Sequence, residues 1–159
     1  MAILAQSGRI VIAEAIILRP LHLAWGSGDG AWIDPPAEDA DAVSLMNEVG
    51  RRVVTQAQYV VPDENGEISL PSGNFSLSAI PTKHLFFNTV FDYADASSVV
   101  IREIAIFVGT QTDSQLPSGQ QYFAPSEVTD PGRLLHLENI QPVFRSPAIR
   151  ETFKVVITF

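Results

Sequence analysis

The sequence predicts an α+β fold that is mostly β, with antiparallel strands, one N-terminal helix and one short second helix. Three observations predict this class. Apolar and polar residues alternate with a period of two in several segments rich in β-branched and aromatic residues. Clusters of Pro, Gly, Asn and Asp, which favour turns, separate those segments. Apolar residues recur at helical spacing near the N-terminus and again around Val43.

The most regular alternating segment, about 84–109, is predicted to be a central hairpin. Residues 85–93 and 99–108 alternate as two arms, and the polar residues 94–98 supply a turn between them. Both faces of each arm carry apolar side chains. We therefore expect the hairpin to lie in the middle of an antiparallel sheet or sandwich that is covered on both sides.

The chain begins with an element that fits either a helix or a strand. Ser7 is a suitable helix cap and the apolar residues that follow share a helical face, whereas Ile10-Val11-Ile12 is a β-branched run typical of strands. The sequence favours a helix over 6–18. Pro20 ends the element under either interpretation, because the residue before a proline avoids the α region.

A short strand and a glycine-rich loop are predicted for 21–32, and an acidic segment follows them. The second helix is predicted for about 42–49. Its evidence is the helical spacing of Val43, Met46 and Val49.

Strands and one long loop are predicted for the rest of the chain. Before the hairpin, strands are expected over 51–61, 67–70 and 75–79. In the last of these, Phe75 and Leu77 alternate with serines, which predicts a half-exposed strand near a sheet edge. After the hairpin we expect a long loop over about 110–133, with a short strand around 121–124, and a C-terminal strand over about 151–159 on which the domain ends.

Length and composition indicate a single globular domain, 1–159. The chain is 46% hydrophobic and 18% charged, which is typical of folded proteins. Its net charge of −8 argues against binding to nucleic acid or to anionic lipid. The absence of cysteine excludes disulfides and thiolate chemistry. The sequence has no membrane-length apolar run and no export-signal pattern, so we expect a soluble protein.

Several motifs resemble catalytic or ligand sites only in part. Gly26-Ser27-Gly28-Asp29-Gly30 has the spacing of a phosphate-binding loop, but no helix is predicted after it and Asp29 would repel phosphate. The acidic residues after it lack the spacing of a calcium loop. The histidines, His22, His84 and His136, form no metal-binding pair, and no Ser-centred catalytic motif occurs. We therefore predict no enzyme activity, no cofactor and no metal.

Glu103 is the most notable acid, because it lies in the apolar second arm of the predicted hairpin. A glycoside hydrolase would need it to share a cleft with a second carboxylate. A structural role is favoured, in which buried Glu103 bonds to a loop backbone or to Arg51 or Arg52. Trp25 and Trp32 flank the glycine-rich loop; exposed, they would form a carbohydrate platform or an interface anchor, and buried, they would be core.

Four stretches, in order, resemble the N-terminal attachment domain of tail-fibre and baseplate proteins of contractile-tailed bacteriophages. They are Ile12–Ile16, Gly28–Gly30, Leu45–Arg51 and Ile101–Phe107, and the resemblance covers about residues 2–109. It implies a virion structural protein of the tail baseplate or fibre-attachment region, active through protein–protein contacts in assembly and host attachment. The alternative function is a carbohydrate-binding (receptor-binding) module that uses Trp25 and Trp32.

The resemblance also implies partners and a location. The expected partners are other tail, baseplate or fibre proteins, with a homo-oligomer or multiple copies per virion. The expected location is the virion tail, after assembly in the host cytoplasm. The candidate contact residues are Trp25, Trp32, Phe75, Leu77 and Phe159.

Overall fold

A computed structural model describes all residues, 1–159, and divides the chain into two compact units. Unit 1 comprises Met1–Arg19, Val54–Thr89 and Thr152–Phe159, and unit 2 comprises Pro20–Val53 and Val90–Glu151. No helix has both the length and the apolar content that crossing a membrane requires. The single domain over 1–159 stays a prediction.

Unit 1 contains one α-helix and a five-stranded sheet. The helix, α1, spans Gln6–Ile17, which confirms a helix at the N-terminus. The strands follow one another in the spatial order β12-β6-β3-β5-β4. Their bounds are β3 Gln56–Pro62, β4 Ile68–Leu70, β5 Gly73–Leu77, β6 His84–Phe91 and β12 Glu151–Thr158.

Apolar side chains of neighbouring strands form the core of this sheet. Val60 on β3, Phe75 on β5 and Phe86 on β6 are buried together, with Ile68 and Val156 packed against them. β5 lies next to the edge strand β4 and pairs with β3 on its other side, and it is partly exposed, as the serine alternation predicted for a strand near a sheet edge.

Unit 2 contains a second five-stranded sheet, in the order β11-β7-β1-β2-β9, and a two-stranded sheet of β8 and β10. All of its paired strands are antiparallel. The strand bounds are β1 Leu21–Gly26, β2 Glu48–Val53, β7 Val100–Val108, β8 Gln111–Thr112, β9 Tyr122–Phe123, β10 Val128–Asp130 and β11 Arg133–Phe144. A short 3-10 helix, Pro125–Glu127, precedes β10.

The mostly β fold with antiparallel sheets and an N-terminal helix is confirmed, but three predicted details are wrong. The single strand predicted over 51–61 is two strands, β2 and β3, which belong to different sheets. The two arms of the predicted hairpin are strands, yet they do not pair. β6 lies between β12 and β3, whereas β7 lies between β11 and β1 in the other sheet. Both arms are apolar on both faces because each is an interior strand of its own sheet.

The predicted second helix, over residues 42–49, is also wrong, because these residues form no helix. The segment is irregular, with bends at Ser44, Met46 and Asn47, and strand β2 begins at Glu48. Its backbone N–H groups at 46 and 47 are engaged by a side chain of β7, which overrides the local helical pattern. The long loop over 110–133 also has more structure than expected, since it contains β8, β9, β10 and the 3-10 helix.

Candidate functional site

The candidate site is an irregular segment that links β1 to β2 across one face of the unit 2 sheet. We call this segment, residues 27–47, the strap. It contains neither helix nor strand. Its acidic side chains are Asp29, Asp34, Glu38, Asp39 and Asp41. A backbone hydrogen bond from the Ser27 N–H to the Asn47 carbonyl joins the two ends of the strap, and single turns close at Asp29 and Asp39. Most of its other backbone groups have no partner within the strap, so side chains of the sheet beneath it help to fix its path.

Glu103 on β7 anchors the C-terminal end of the strap. Its Oε2 accepts a hydrogen bond of 3.0 Å from the backbone N–H of Met46, and its Oε1 accepts one of 2.9 Å from the backbone N–H of Asn47. The carboxylate is 2% exposed. Two backbone donors thus compensate a buried charge, since hydrogen bonds to an ionised acceptor are stronger than neutral ones.

Gly26 on β1 makes room for that carboxylate. It is the register partner of Glu103 across the β1–β7 pair. A Cβ atom at Gly26 would lie 2.3 Å from Glu103 Oε1 and 2.7 Å from the backbone oxygen of Asn47. The first glycine of the GxGxG motif is therefore required by close packing against Glu103, which is a structural role.

Asn139 on β11 anchors the strap nearer its middle. The backbone N–H of Asn139 donates to Glu38 Oε1 at 3.0 Å, and its side-chain amide donates to the carbonyl of Pro36 at 3.0 Å. The hydrogen bond from Asn139 lowers the pKa of the Glu38 carboxyl. Asn139 is the register partner of Glu103. The two anchors therefore lie side by side on neighbouring strands.

Leu45 fastens the strap to the core between these anchors. It is 5% exposed and packs with Ala24, Ala105 and Phe107 of the sheet. The small alanines at the centre of β1 and β7 leave the space that the leucine fills. The strap therefore lies against the sheet through an apolar contact as well as through hydrogen bonds.

The outer side of the strap exposes large apolar side chains. Ile33 is 90% exposed, Val43 is 79% exposed and Met46 is 65% exposed. Beside them opens a cavity of about 640 Å³, lined by strap residues together with Glu103, Leu137 and Asn139. An ordered segment that exposes apolar side chains beside an open cavity has the properties of a protein contact site.

Two buried polar side chains of unit 2, Arg51 and His22, differ in their partners: Arg51 is hydrogen-bonded, whereas His22 Nδ1 has no hydrogen-bond partner. Arg51 is 2% exposed and donates to both oxygens of Glu48 at 2.8 Å, and also to Thr110 and to the Pro131 carbonyl. Burial, and secondarily the charge of Arg51, lowers the pKa of His22 from 6.5 to about 4, so this imidazole is neutral at pH 7. No three His, Cys, Asp or Glu side chains are grouped so that they could hold a metal ion.

The structure disperses the residues that the sequence suggested as partner contacts. Trp25 is fully buried, stacked on Phe91 at 3.6 Å, and its Nε1–H donates to the Tyr122 hydroxyl. The ring is buried because β1 is an interior strand of its sheet. It therefore cannot form an exposed platform with Trp32, which is half-buried and lines the cavity.

Among the candidates in unit 1, Phe75 is also buried, at 7% exposure, because its ring packs with Val60 and Phe86 in the core of the sheet. Leu77 is 45% exposed, and Phe159 is half-buried with its backbone N–H bonded to the Lys83 carbonyl. The anchoring role of Asn139 and the exposure of Ile33 and Val43 were not predicted. Apolar residues within a proline-rich acidic segment were the available signal.

Comparison of the sequence with known proteins identifies the family of this chain. No curated protein is similar to the chain. The sequence does match, over residues 1–159, the family described as "Baseplate wedge 3 tail fiber network component". Because this match spans the whole sequence, the chain belongs to the family of baseplate wedge 3 tail fiber network components.

Proposed function

We propose that this chain is a connecting part of the tail baseplate or of the region where tail fibres attach, and that it acts by protein–protein contact rather than by catalysis. The observation that carries the proposal is the strap. It is anchored by Glu103 and Asn139 and yet exposes Ile33, Val43 and Met46. The family supplies the setting, a tail fibre network on the baseplate.

The anchors prepare the strap for binding. An unanchored loop would lose conformational freedom when a partner ordered it, and that loss would weaken the complex. Here the hydrogen bonds to Met46 and Asn47 and the buried Leu45 fix the segment in the free chain. The apolar area that a partner buries on the strap then contributes to affinity with little ordering cost.

Glu103 supports contact rather than catalysis. Both of its oxygens accept backbone hydrogen bonds, and the carboxylate is 2% exposed. A general acid or base must reach its substrate and exchange a proton with it. This carboxylate instead holds the strap in place.

The charge of the strap defines the chemistry of its partner. Five acidic side chains lie in the same segment as the exposed apolar residues. The complementary surface is an apolar patch bordered by Lys and Arg on another tail protein, because opposite charges guide association and exclude acidic partners. The net charge of −8 disfavours nucleic acid and anionic lipid in the same role. The chain is assembled into tails in the host cytoplasm, in multiple copies, and serves host attachment by holding the fibres.

The experiment is complementation of a phage that lacks this chain. The test variant combines Ile33→Ser, Val43→Ser and Met46→Ser, and the control is Phe144→Ser, which removes an apolar side chain of 75% exposure elsewhere in unit 2. Fluorescence of the two tryptophans, both in unit 2, verifies folding of each purified variant.

We expect the strap variant to be folded but absent from purified particles, or present in particles that lack fibres, and the control to assemble normally. Normal copy number and normal fibre content with the strap variant would refute the strap as the contact surface. If only the control failed to assemble, the contact surface would lie around Phe144, and the proposal that the strap is the contact surface would be refuted as well.

A further inference from the structure

The helix of unit 1 exposes an apolar face that the fold of unit 1 does not use. We call the line formed by Leu4, Gly8, Val11, Ala15 and Leu18 the outer seam. Leu4 is 51% exposed, Val11 is 60% exposed and Leu18 is 85% exposed. Ala15 is also exposed and Gly8 is half-buried. Large exposed apolar side chains in a continuous row mark an interaction surface.

The inner face of α1 is the face that packs against the rest of unit 1. Ala13 on that face is fully buried, and Ile17 lines a cavity together with residues of β3 and β5. An amphipathic surface helix would be polar on its other side. α1 instead remains apolar there, so the outer seam needs an explanation outside the fold of the single chain.

The spacing of the outer seam indicates what covers it. Leu4 precedes the helix, which begins at Gln6, and the other four residues, from Gly8 to the C-cap Leu18, are separated by three, four and three positions. That is the a/d spacing of a heptad repeat, the pattern by which helices pack side by side. Leu18 continues the helical backbone with φ −82° and ψ −6°. A Cβ atom at Gly8 would lie 3.0 Å from Leu4 Cδ1, so the Leu4 side chain lies against the first turn of the same face.

We propose that the outer seam is a self-association surface, which packs in parallel against the outer seam of a second copy of this chain. In the heptad defined by Gly8 and Ala15 at position a, Glu14 is at g, and Arg19 follows the C-cap Leu18 at the place that e of the following heptad would take if the helix continued. In a parallel pair, g of one helix faces the next e of its neighbour. Glu14 of each copy therefore meets Arg19 of the other with opposite charge.

The charge distribution favours a second copy at this surface. The whole chain has a net charge of −8, so two copies repel one another over most orientations. Residues 1–19 contain two arginines and one glutamate and are therefore not acidic. The outer seam is a region where two copies can approach without that repulsion. This proposal concerns unit 1 and does not depend on the strap.

The first test is sedimentation velocity of the purified chain over a concentration series. The seam variant combines Val11→Ser and Leu18→Ser, and the control is Ile80→Ser, which removes an apolar side chain of 71% exposure from a part of unit 1 outside α1. We expect concentration-dependent association of the wild type and of the control. Loss of a buried Val or Leu side chain weakens association by about tenfold or more, so the seam variant should sediment as a monomer over the same range.

The second test uses the absence of cysteine from the chain. Single variants Val11→Cys, Leu18→Cys and Ile80→Cys are oxidised and analysed by non-reducing electrophoresis. Disulfides need Cα atoms within about 7 Å, and equivalent d positions approach each other in parallel helices. We expect covalent dimers from both Val11→Cys and Leu18→Cys and none from Ile80→Cys.

Three results would overturn the proposal. If the wild-type chain is monomeric at all concentrations, the outer seam does not bind a second copy and is the contact surface for a different protein. Association that survives in the seam variant would place the self-contact elsewhere. A covalent dimer from one seam position but not from the other would indicate antiparallel helices and contradict the parallel arrangement.

Discussion

Replacing Glu103 by Gln tests the anchor on which the strap depends. The change keeps the size and shape of the side chain but substitutes an amide nitrogen for one carboxylate oxygen. In the native structure both oxygens accept backbone hydrogen bonds, from Met46 at 3.0 Å and from Asn47 at 2.9 Å. A glutamine can accept only one of them, and its NH₂ group must face the other N–H donor.

The expected loss of unfolding free energy follows from those two bonds. A buried hydrogen bond to a charged acceptor contributes about 1.5–3 kcal/mol, and a buried donor left without a partner costs about 1–3 kcal/mol. Part of this loss of unfolding free energy is recovered, because a neutral glutamine amide costs less to bury than an ionised carboxylate. We expect a net loss of about 2 kcal/mol. With a urea dependence of about 2 kcal/mol per M, the unfolding midpoint falls by about 1 M.

The assay is urea unfolding followed by tryptophan fluorescence, because both tryptophans lie in unit 2. Hydrogen exchange at the amides of Met46 and Asn47 provides a local readout and should accelerate in Glu103→Gln. The control, Glu138→Gln, alters a glutamate that is 47% exposed, for which we expect a change of at most about 1 kcal/mol. An unchanged midpoint together with unchanged exchange at those two amides would refute the anchor.

Three further predictions concern buried positions of unit 2. Gly26→Ala should lose about 1–3 kcal/mol, because its Cβ would lie 2.3 Å from Glu103 Oε1 and the strands must shift; urea unfolding measures this. Arg51→Met should lose about 3–5 kcal/mol in the same assay, because it leaves the Glu48 carboxylate without its guanidinium partner and removes one of the two donors to the Pro131 carbonyl. The pKa of folded His22 is lowered from 6.5 to about 4, so the unfolded chain binds the extra proton between these values. Stability should be highest above pH 6.5 and decrease by up to about 3 kcal/mol as the pH falls towards 4, and His22→Leu should lose this component of the pH dependence.

Each of these predictions has a matched comparison. For Gly26 the comparison is Gly30→Ala. A Cβ atom at Gly30 meets nothing within 4 Å, so this variant should have the same urea unfolding midpoint as the wild type. For Arg51 it is Arg133→Met, which alters an exposed arginine. A Gly26 or Arg51 variant as stable as its comparison would contradict the packing described for it. The pH prediction fails if wild type and His22→Leu lose stability in parallel.

Local patterns were sufficient to predict most elements but not their pairing. The alternation in 84–91 and 100–108 correctly indicated strands, because period-two patterning reports which faces are buried. Both strands are apolar on both faces, so either could pair with any other interior strand. Their assignment to different sheets depends on long-range contacts, such as those of β7 with β1 and β11. The nearness of the two strands in sequence therefore suggested a hairpin that does not form.

The strap illustrates why the candidate site could be predicted only in part. The importance of Glu103 followed from the cost of burying a charge in an apolar strand. Its partners are backbone N–H groups, which every residue except proline carries, so no residue pattern identified Met46 and Asn47 as the donors. The spacing of Val43 and Met46 was interpreted as a helical face, whereas it reflects side chains on an irregular segment that another strand holds in place.

Oxidation of Met46 in free and assembled protein tests the contact role of the strap most directly. Met46 is 65% exposed, and an exposed methionine thioether is converted to the sulfoxide by peroxide. Its rate can be measured by mass spectrometry for the purified chain and for intact tails that contain it. We predict rapid oxidation in the purified chain and marked protection in the tails. Equal rates in both would show that the strap stays open to solvent in the baseplate and would contradict its role as the contact surface.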